Sequence, residues 1–148
     1  DWARRHGHMR MHTALHLLSV VLPYPVTGGA VGADKGRLDF AMPDPLDDKA
    51  VVEGQLNALV TRDLPVTEDW ITDADLAADP GLVKTMSVAP PTGAGRVRLI
   101  RIGAGKTQVD LQPCGGTHVA RTGEIGKLAL GKIEKKGRDN RRISVVFA

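Results

Sequence analysis

Two short stretches, roughly a hundred residues apart, constrain this chain more than anything else in it. His12-Thr13-Ala14-Leu15-His16 lies near the start, and Cys114-Gly115-Gly116-Thr117-His118 lies near the end. On a helix, residues four apart share one face, so imidazoles at 12 and 16 can meet one ion. Cys114 is the only cysteine. A histidine follows it four residues later, and the two glycines between them let the backbone turn tightly. Taken together these are three imidazoles and a thiolate, a complete nitrogen and sulfur set for a tetrahedral metal. The wide separation excludes a zinc finger. The fold must bring a helix and a strand-end loop to one point.

Each half alone is ambiguous. The histidine pair equally describes two half-buried residues at a helix edge. Cys114 alone could be an inert buried thiol, and His118 a satisfied loop residue. A zinc peptidase would need Glu directly after the first histidine as general base, and Thr13 stands there. The set of four outweighs these separate readings. With four protein ligands, both a catalytic site and a closed structural site stay open.

The rest of the sequence describes a domain able to build such a site. With 148 residues, 42% of them hydrophobic, the chain can form one core without disulfides, and a single cysteine fits a reducing, cytoplasmic setting. Aromatic residues are 3%, too few for a protein that stacks bases along a single strand. The formal charge of +3 is compatible with an anionic partner. No apolar run reaches the roughly 18 residues of a membrane span.

Apolar spacing predicts a helix over 9–22, stopped by Pro23, with His12 and His16 at the edge of its stripe. A second helix is predicted from Asp47-Asp48 to Thr61. Gly28-Gly29 reads as a turn, or as backbone that something must approach closely, and Arg37–Met42 as a strand. A short strand over Leu64–Ile71, a short helix over Asp73–Lys84 and a loop over Val88–Gly95 follow. Arg96–Ile102 reads as a strand with a bulge between Leu99 and Ile100. Thr107–Gln112 alternates, with Val109 and Leu111 on one face and Gln108, Asp110 and Gln112 on the other. Glu124–Ile133 and Arg142–Phe147 read as two more strands. The class is α+β: a mostly antiparallel sheet against two longer helices, with the metal site between the HxxxH helix and the CGGTH strand-end loop.

At these residues the sequence resembles the editing domain of alanyl-tRNA synthetase and the free-standing AlaX-type trans-editing proteins, within the threonyl/alanyl-tRNA synthetase second additional domain family. The likeness is carried by His12-Thr13-Ala14-Leu15-His16-Leu17-Leu18, by Cys114–Val119, by Thr122–Gly126 and by Arg141-Arg142-Ile143. It runs from Asp1 to Phe147. There is no room for an aminoacylation domain, so residues 1–148 are expected to form a single editing domain. Larger AlaX proteins have a small β-rich domain ahead of the HxxxH helix. The opening at Asp1 in place of Met leads us to expect that such a domain is missing from this chain.

The resemblance implies ATP-independent hydrolysis, in trans, of the ester bond in mischarged tRNA(Ala). Seryl-tRNA(Ala) is the chief substrate implied and glycyl-tRNA(Ala) a second. Zn2+ is the implied cofactor, held by His12, His16, Cys114 and His118. The implied partner is mischarged tRNA(Ala), with neither DNA nor a membrane. Alternatives are a zinc-stabilised tRNA-binding module, editing of seryl-tRNA(Thr), and a different metallohydrolase acting on a small ester or amide. Because alanine is smaller than serine, an editing site cannot exclude it by size and must demand the serine hydroxyl. A site built to hydrogen-bond a hydroxyl rejects the analogue without it by about 10⁴-fold. Thr13, Thr117, Asp39 and Gln112 are the candidate polar residues. Lys132, Lys135, Lys136, Arg138, Arg141 and Arg142 form a basic run, either a tRNA phosphate contact or a solvated hairpin.

Overall fold

The computed structural model describes residues 1–82 and 95–148. Helix α1 spans Trp2–Val21 and is longer than its apolar stripe predicts. The Asp1 carboxylate accepts from the Arg4 backbone N–H and so caps an N-terminal half that is largely exposed. It stops where Leu22 turns extended, ahead of Pro23. Strands β1 (Val26–Val31) and β2 (Lys35–Ala41) follow, then helix α2 (Lys49–Thr61). The Asp48 side chain caps α2 through the Ala50 and Val51 N–H groups. Strand β3 is Val66–Thr72 and helix α3 is Asp73–Ala78, followed by a single 3-10 turn over Pro80–Leu82. Residues 83–84 of the predicted third helix and 88–94 of the predicted loop lie outside the described residues. Strands β4 (Arg96–Ile102), β5 (Asp110–Pro113), β6 (Leu128–Lys135) and β7 (Asn140–Phe147) complete the chain.

The strands form two antiparallel sheets, ordered β1-β2-β7-β6 and β3-β4-β5. The α+β class and the helix-against-sheet arrangement are as the sequence predicts. The main core lies between α1, α2 and the four-stranded sheet, with Met11, Leu18, Leu56, Phe40, Ile143 and Val145 fully or almost fully buried. Each such side chain contributes about 2 kcal/mol. Helix α1 lies so close over β2 that a Cβ at Gly36 would stand 2.8 Å from Met11 Cγ. Asn57 of α2 stitches that helix to β6, donating to the Leu128 carbonyl and accepting from its N–H.

Several local expectations are corrected. Gly28 and Gly29 lie inside β1, which pairs with β2 through a register shift between Val26 and Gly28; they are not a turn. β4 has no bulge: it runs in unbroken register from Arg96 to Ile102 against β3. Leu99 and Ile100 are both buried because this middle strand is covered on both faces, and that breaks the alternation. The predicted strand over 107–112 begins only at Asp110, after a 3-10 turn over Gly105–Thr107. Its polar face points inward: Asp110 is buried, while Leu111 is only half-buried. The strand predicted from Glu124 begins at Leu128, because Thr122–Ile125 forms a 3-10 turn. There Thr122 is fully buried, donating to the Leu59 carbonyl and accepting from the Leu64 N–H.

Among the described residues, no helix is long and apolar enough to cross a membrane.

Candidate metal centre

Helical spacing and strand alternation meet along one seam. On α1, His12, His16 and Ser19 follow one another by four and three residues, so they form one stripe. On β5 and the turn after it, Asp110, Gln112 and Cys114 alternate onto one face. The Asp110 carboxylate lies 3.5 Å from His16 Nδ1. Gln112 Nε2 lies 3.4 Å from Ser19 Oγ. Cys114 Sγ lies 3.5 Å from His12 Nε2. His118, at the far end of the loop, brings its own Nε2 to 3.5 Å from the same sulfur. One donor atom from each of His12, His16, Cys114 and His118 lies within 4.8 Å of all the others. The two motifs therefore converge as their spacing requires, and the group could hold a metal ion.

The donor chemistry fits such an ion. A metal-bound histidine usually donates its second ring N–H to a protein acceptor, which fixes the tautomer and turns the free lone pair toward the ion. That pattern is present here. His12 Nδ1 lies 3.2 Å from the Thr117 carbonyl. His118 Nδ1 lies 2.9 Å from Thr13 Oγ1. The Thr13 hydroxyl donates to the Met9 carbonyl and accepts from the Val119 N–H. Thr13 therefore has no hydrogen left for His118, and the shared hydrogen belongs to the imidazole. His16 faces Asp110, its buried Nδ1 lacking a well-aligned hydrogen bond.

Electrostatics prepare the donors further. Burial opposes ionisation of Cys114, yet its contacts with His118, His12 and His16 outweigh it and bring the thiol from 9.0 down to about 3. Burial also holds His118 at about 4, against the opposing contact with Cys114, so it stays neutral near pH 7. Burial disfavours charge on His16, but Asp110 and Cys114 outweigh that and raise its pKa. A thiolate and a neutral imidazole are the forms that bind metal.

The loop holds its shape for steric and polar reasons. A Cβ at Gly116 would stand 2.3 Å from His12 Cε1, so only glycine lets the turn lie over that ring. The Arg98 guanidinium donates through Nη1 to the carbonyls of Cys114 and Gly116, at 3.0 and 2.8 Å. Its Nε binds Glu68 Oε2 at 2.8 Å. Sequence reasoning passed over Arg98, and no local pattern marks it. It also passed over Asp110 and Ser19, although both lie on the stripes that the two motifs define.

The centre opens into a cavity of about 280 Å³. His12, His16 and Cys114 form one end of it, and Leu15, Val26, Leu38 and Pro113 its apolar walls. Gly29 and Ala30 of β1 keep another wall thin. Of the four candidate polar residues, Gln112 alone lines this cavity. Thr13 is buried behind His118. Thr117 is exposed and meets His12 through its carbonyl. Asp39 lies on β2 between two guanidiniums, with Arg37 at 2.9 Å and Arg142 at 2.9 Å. Burial works against its ionisation, but Arg142 and Arg37 hold its carboxyl below the usual range.

The basic run divides in the structure. Arg142 is engaged by Asp39, and Arg141 donates to the Pro43 carbonyl. Lys132, Lys135, Lys136 and Arg138 are exposed around the β6–β7 turn, with Lys132 and Lys136 reaching Glu134.

Known proteins share this arrangement of sequence. Residues 97–144 match the threonyl and alanyl tRNA synthetase second additional domain. The alanyl-tRNA editing protein AlaX-M of Methanosarcina acetivorans is 33% identical over 148 residues, covering 97% of this chain and 59% of the relative. AlaX-M of Saccharolobus solfataricus is 29% identical over 148 residues, covering 97% of this chain and 60% of the relative. An alanine–tRNA ligase of Pyrobaculum calidifontis is 34% identical over 144 residues, which is 91% of this chain and 16% of the ligase. The chain spans about three fifths of the length of these AlaX-M relatives. Residues 97–144 thus belong to the threonyl and alanyl tRNA synthetase second additional domain family, and nearly the whole chain is similar to AlaX-type editing proteins.

Proposed function

We propose that this chain is a zinc-dependent aminoacyl-tRNA deacylase. It acts in trans on mischarged tRNA(Ala), chiefly on seryl-tRNA(Ala) and secondarily on glycyl-tRNA(Ala), in the cytoplasm. The observation that carries the reading is the four-donor group of His12, His16, Cys114 and His118 at the end of an open cavity. The similarity to alanyl-tRNA editing proteins over nearly the whole chain supports the substrate class. A thiolate with imidazoles is a set that zinc favours.

Bound there, zinc supplies positive charge for the ester group or for the attacking water. The residues of this chain do the rest. Thr13, Asp110 and the Thr117 carbonyl hold the three imidazoles in place. Arg98 fixes the loop that carries Cys114. An aminoacyl ester is already reactive, so such modest assistance is enough.

A binding module without hydrolysis is the second reading. It is favoured by the number of donors, since four protein ligands fill a tetrahedral site. Deacylation of seryl-tRNA(Ala) beside alanyl-tRNA(Ala), with wild type and Cys114→Ala, decides between them. Fast cleavage of the serine ester alone, lost in the variant, is the expected result. Bound zinc with no cleavage of either ester would hand the case to the binding module.

A further inference from the structure

Gln112 is held in one orientation, with both amide hydrogens engaged and its carbonyl oxygen left as an unused acceptor. Its Nε2 stands 2.7 Å from Asp110 Oδ2 and 3.4 Å from Ser19 Oγ. An oxygen in that position would face a carboxylate, so the near atom is the amide nitrogen. The Ser19 hydroxyl spends its own hydrogen on the His16 carbonyl, 2.6 Å away, so toward Gln112 it can only accept. Both amide hydrogens of Gln112 are therefore committed, and the amide cannot flip without setting Oε1 against Asp110. That oxygen takes no hydrogen bond from the described residues and is not sealed from solvent. Gln112 lines the same cavity as His12, His16 and Cys114. Leu15, Val26, Leu38 and Pro113 line the cavity beside it, and the neighbouring Ser19 hydroxyl has already given its hydrogen to the His16 carbonyl.

We infer that Gln112 is the residue that reads the serine side chain, its Oε1 accepting the hydrogen bond of the substrate β-hydroxyl. The inference rests on the editing reading above. An alanyl group has no hydroxyl to give this acceptor and would displace water from it without replacing the hydrogen bond. Asp110 gives the device a second consequence. The same carboxylate faces His16 and anchors Gln112, so the metal end and the specificity end share one anchor.

The test compares seryl-tRNA(Ala), glycyl-tRNA(Ala) and the tRNA(Ala) ester of 2-aminobutyrate, which replaces the hydroxyl by a methyl group of similar size. Each is given to wild type and to Gln112→Met, with bound zinc measured beside kcat/KM. In wild type the serine ester is expected to be cleaved at least about tenfold faster than the aminobutyrate ester. In Gln112→Met that ratio should fall toward one while zinc content is unchanged. A ratio taken within one protein cancels any loss of folded material, and Gln112→Ala provides a second reading of it. A ratio unchanged in both variants overturns the inference and leaves the editing reading standing. An equal loss on all three esters also overturns it, because Gln112 would then be holding the shared α-ammonium group. If wild type cleaves none of the esters, the editing reading falls and takes this inference with it.

Discussion

The seam between α1 and β5 and the hairpin of β6 and β7 both carry dense polar chemistry, and they differ in what the fold demands of it. In the seam, Thr13, His16, Ser19 and Asp110 are buried. Almost every polar atom there is matched to another within hydrogen-bond reach, since an unmatched one would cost about 1–3 kcal/mol. At the hairpin the Lys132 side chain is 77% exposed and stands 3.8 Å from Glu134. Water serves it as well as a partner does. Burial converts residue identity into geometry at the seam, while exposure leaves only net charge at the hairpin.

The sharpest way to break this contrast is Cys114→Ala. It removes the sulfur against which His12 and His118 converge. Metal affinity is expected to fall by about a hundredfold or more, and deacylation with it. Isothermal titration with zinc and single-turnover deacylation measure the two losses. Retention of tight one-to-one zinc binding would show that the four residues are not the ligands.

Thr13→Val tests the layer behind the ligands. It keeps the shape but takes the acceptor from His118 and the partner from the Val119 N–H. Metal affinity should fall by about 10- to 100-fold, with a stability loss of about 1–3 kcal/mol in the metal-free protein. Chemical denaturation with and without zinc separates the two effects. An effect on stability with none on zinc affinity would make Thr13 a packing residue only.

The centre also predicts how the metal-free protein responds to acid. In the folded state Cys114 is ionised down to about pH 3 and His118 stays neutral down to about pH 4. His16, with its raised pKa, carries a proton in both states below about 6.5. The unfolded chain therefore binds about two more protons than the folded one between about pH 6.5 and 4 at these groups. Stability falls as pH falls through that window, with a slope approaching two protons. Above it the thiolate and the protonated His16 offset each other and the slope flattens. Denaturant midpoints across pH 4–8 measure this, and a slope shallower by about one proton in Cys114→Ala identifies the thiolate as one of the two sources.

Much of the site was legible because both motifs obey simple periods. His12 and His16 share a helix face, and Cys114 and His118 flank a turn that glycine permits. What the sequence did not yield were contacts that depend on which face of a strand turns inward. Asp110 and Gln112 look like the solvated side of β5, since Val109 and Leu111 offer an apolar alternative. The seam reverses that choice, because His16 and Ser19 supply partners for the polar side. Arg98 escaped for another reason: it binds two carbonyls, and carbonyls have no signature in sequence. The glycines of β1 are ambiguous in sequence, since a turn and a closely approached strand have the same composition, and only the pairing with β2 selects the strand.

The smallest effects belong to the hairpin, and they test whether exposure has left it only a solubilising role. Lys132, Lys135, Lys136 and Arg138 are exposed, and the pairs of Lys132 and Lys136 with Glu134 lie open to water, whereas Arg141 and Arg142 are half-buried and engaged within the fold. If the four exposed residues contact tRNA, each change to alanine should weaken binding about equally for charged and uncharged tRNA. Each should also reduce the slope of log affinity against log salt by about 1. Arg142→Ala should behave differently, releasing Asp39 and lowering stability before it alters the salt slope. Filter binding across a salt series reads the slope, and thermal unfolding reads the stability. Unchanged slopes in Lys132→Ala and Lys135→Ala would assign the tRNA contact to another face and leave the hairpin as solvated charge. Equal slopes for Arg142→Ala and Lys132→Ala would instead erase the distinction between engaged and exposed cations on which the comparison stands.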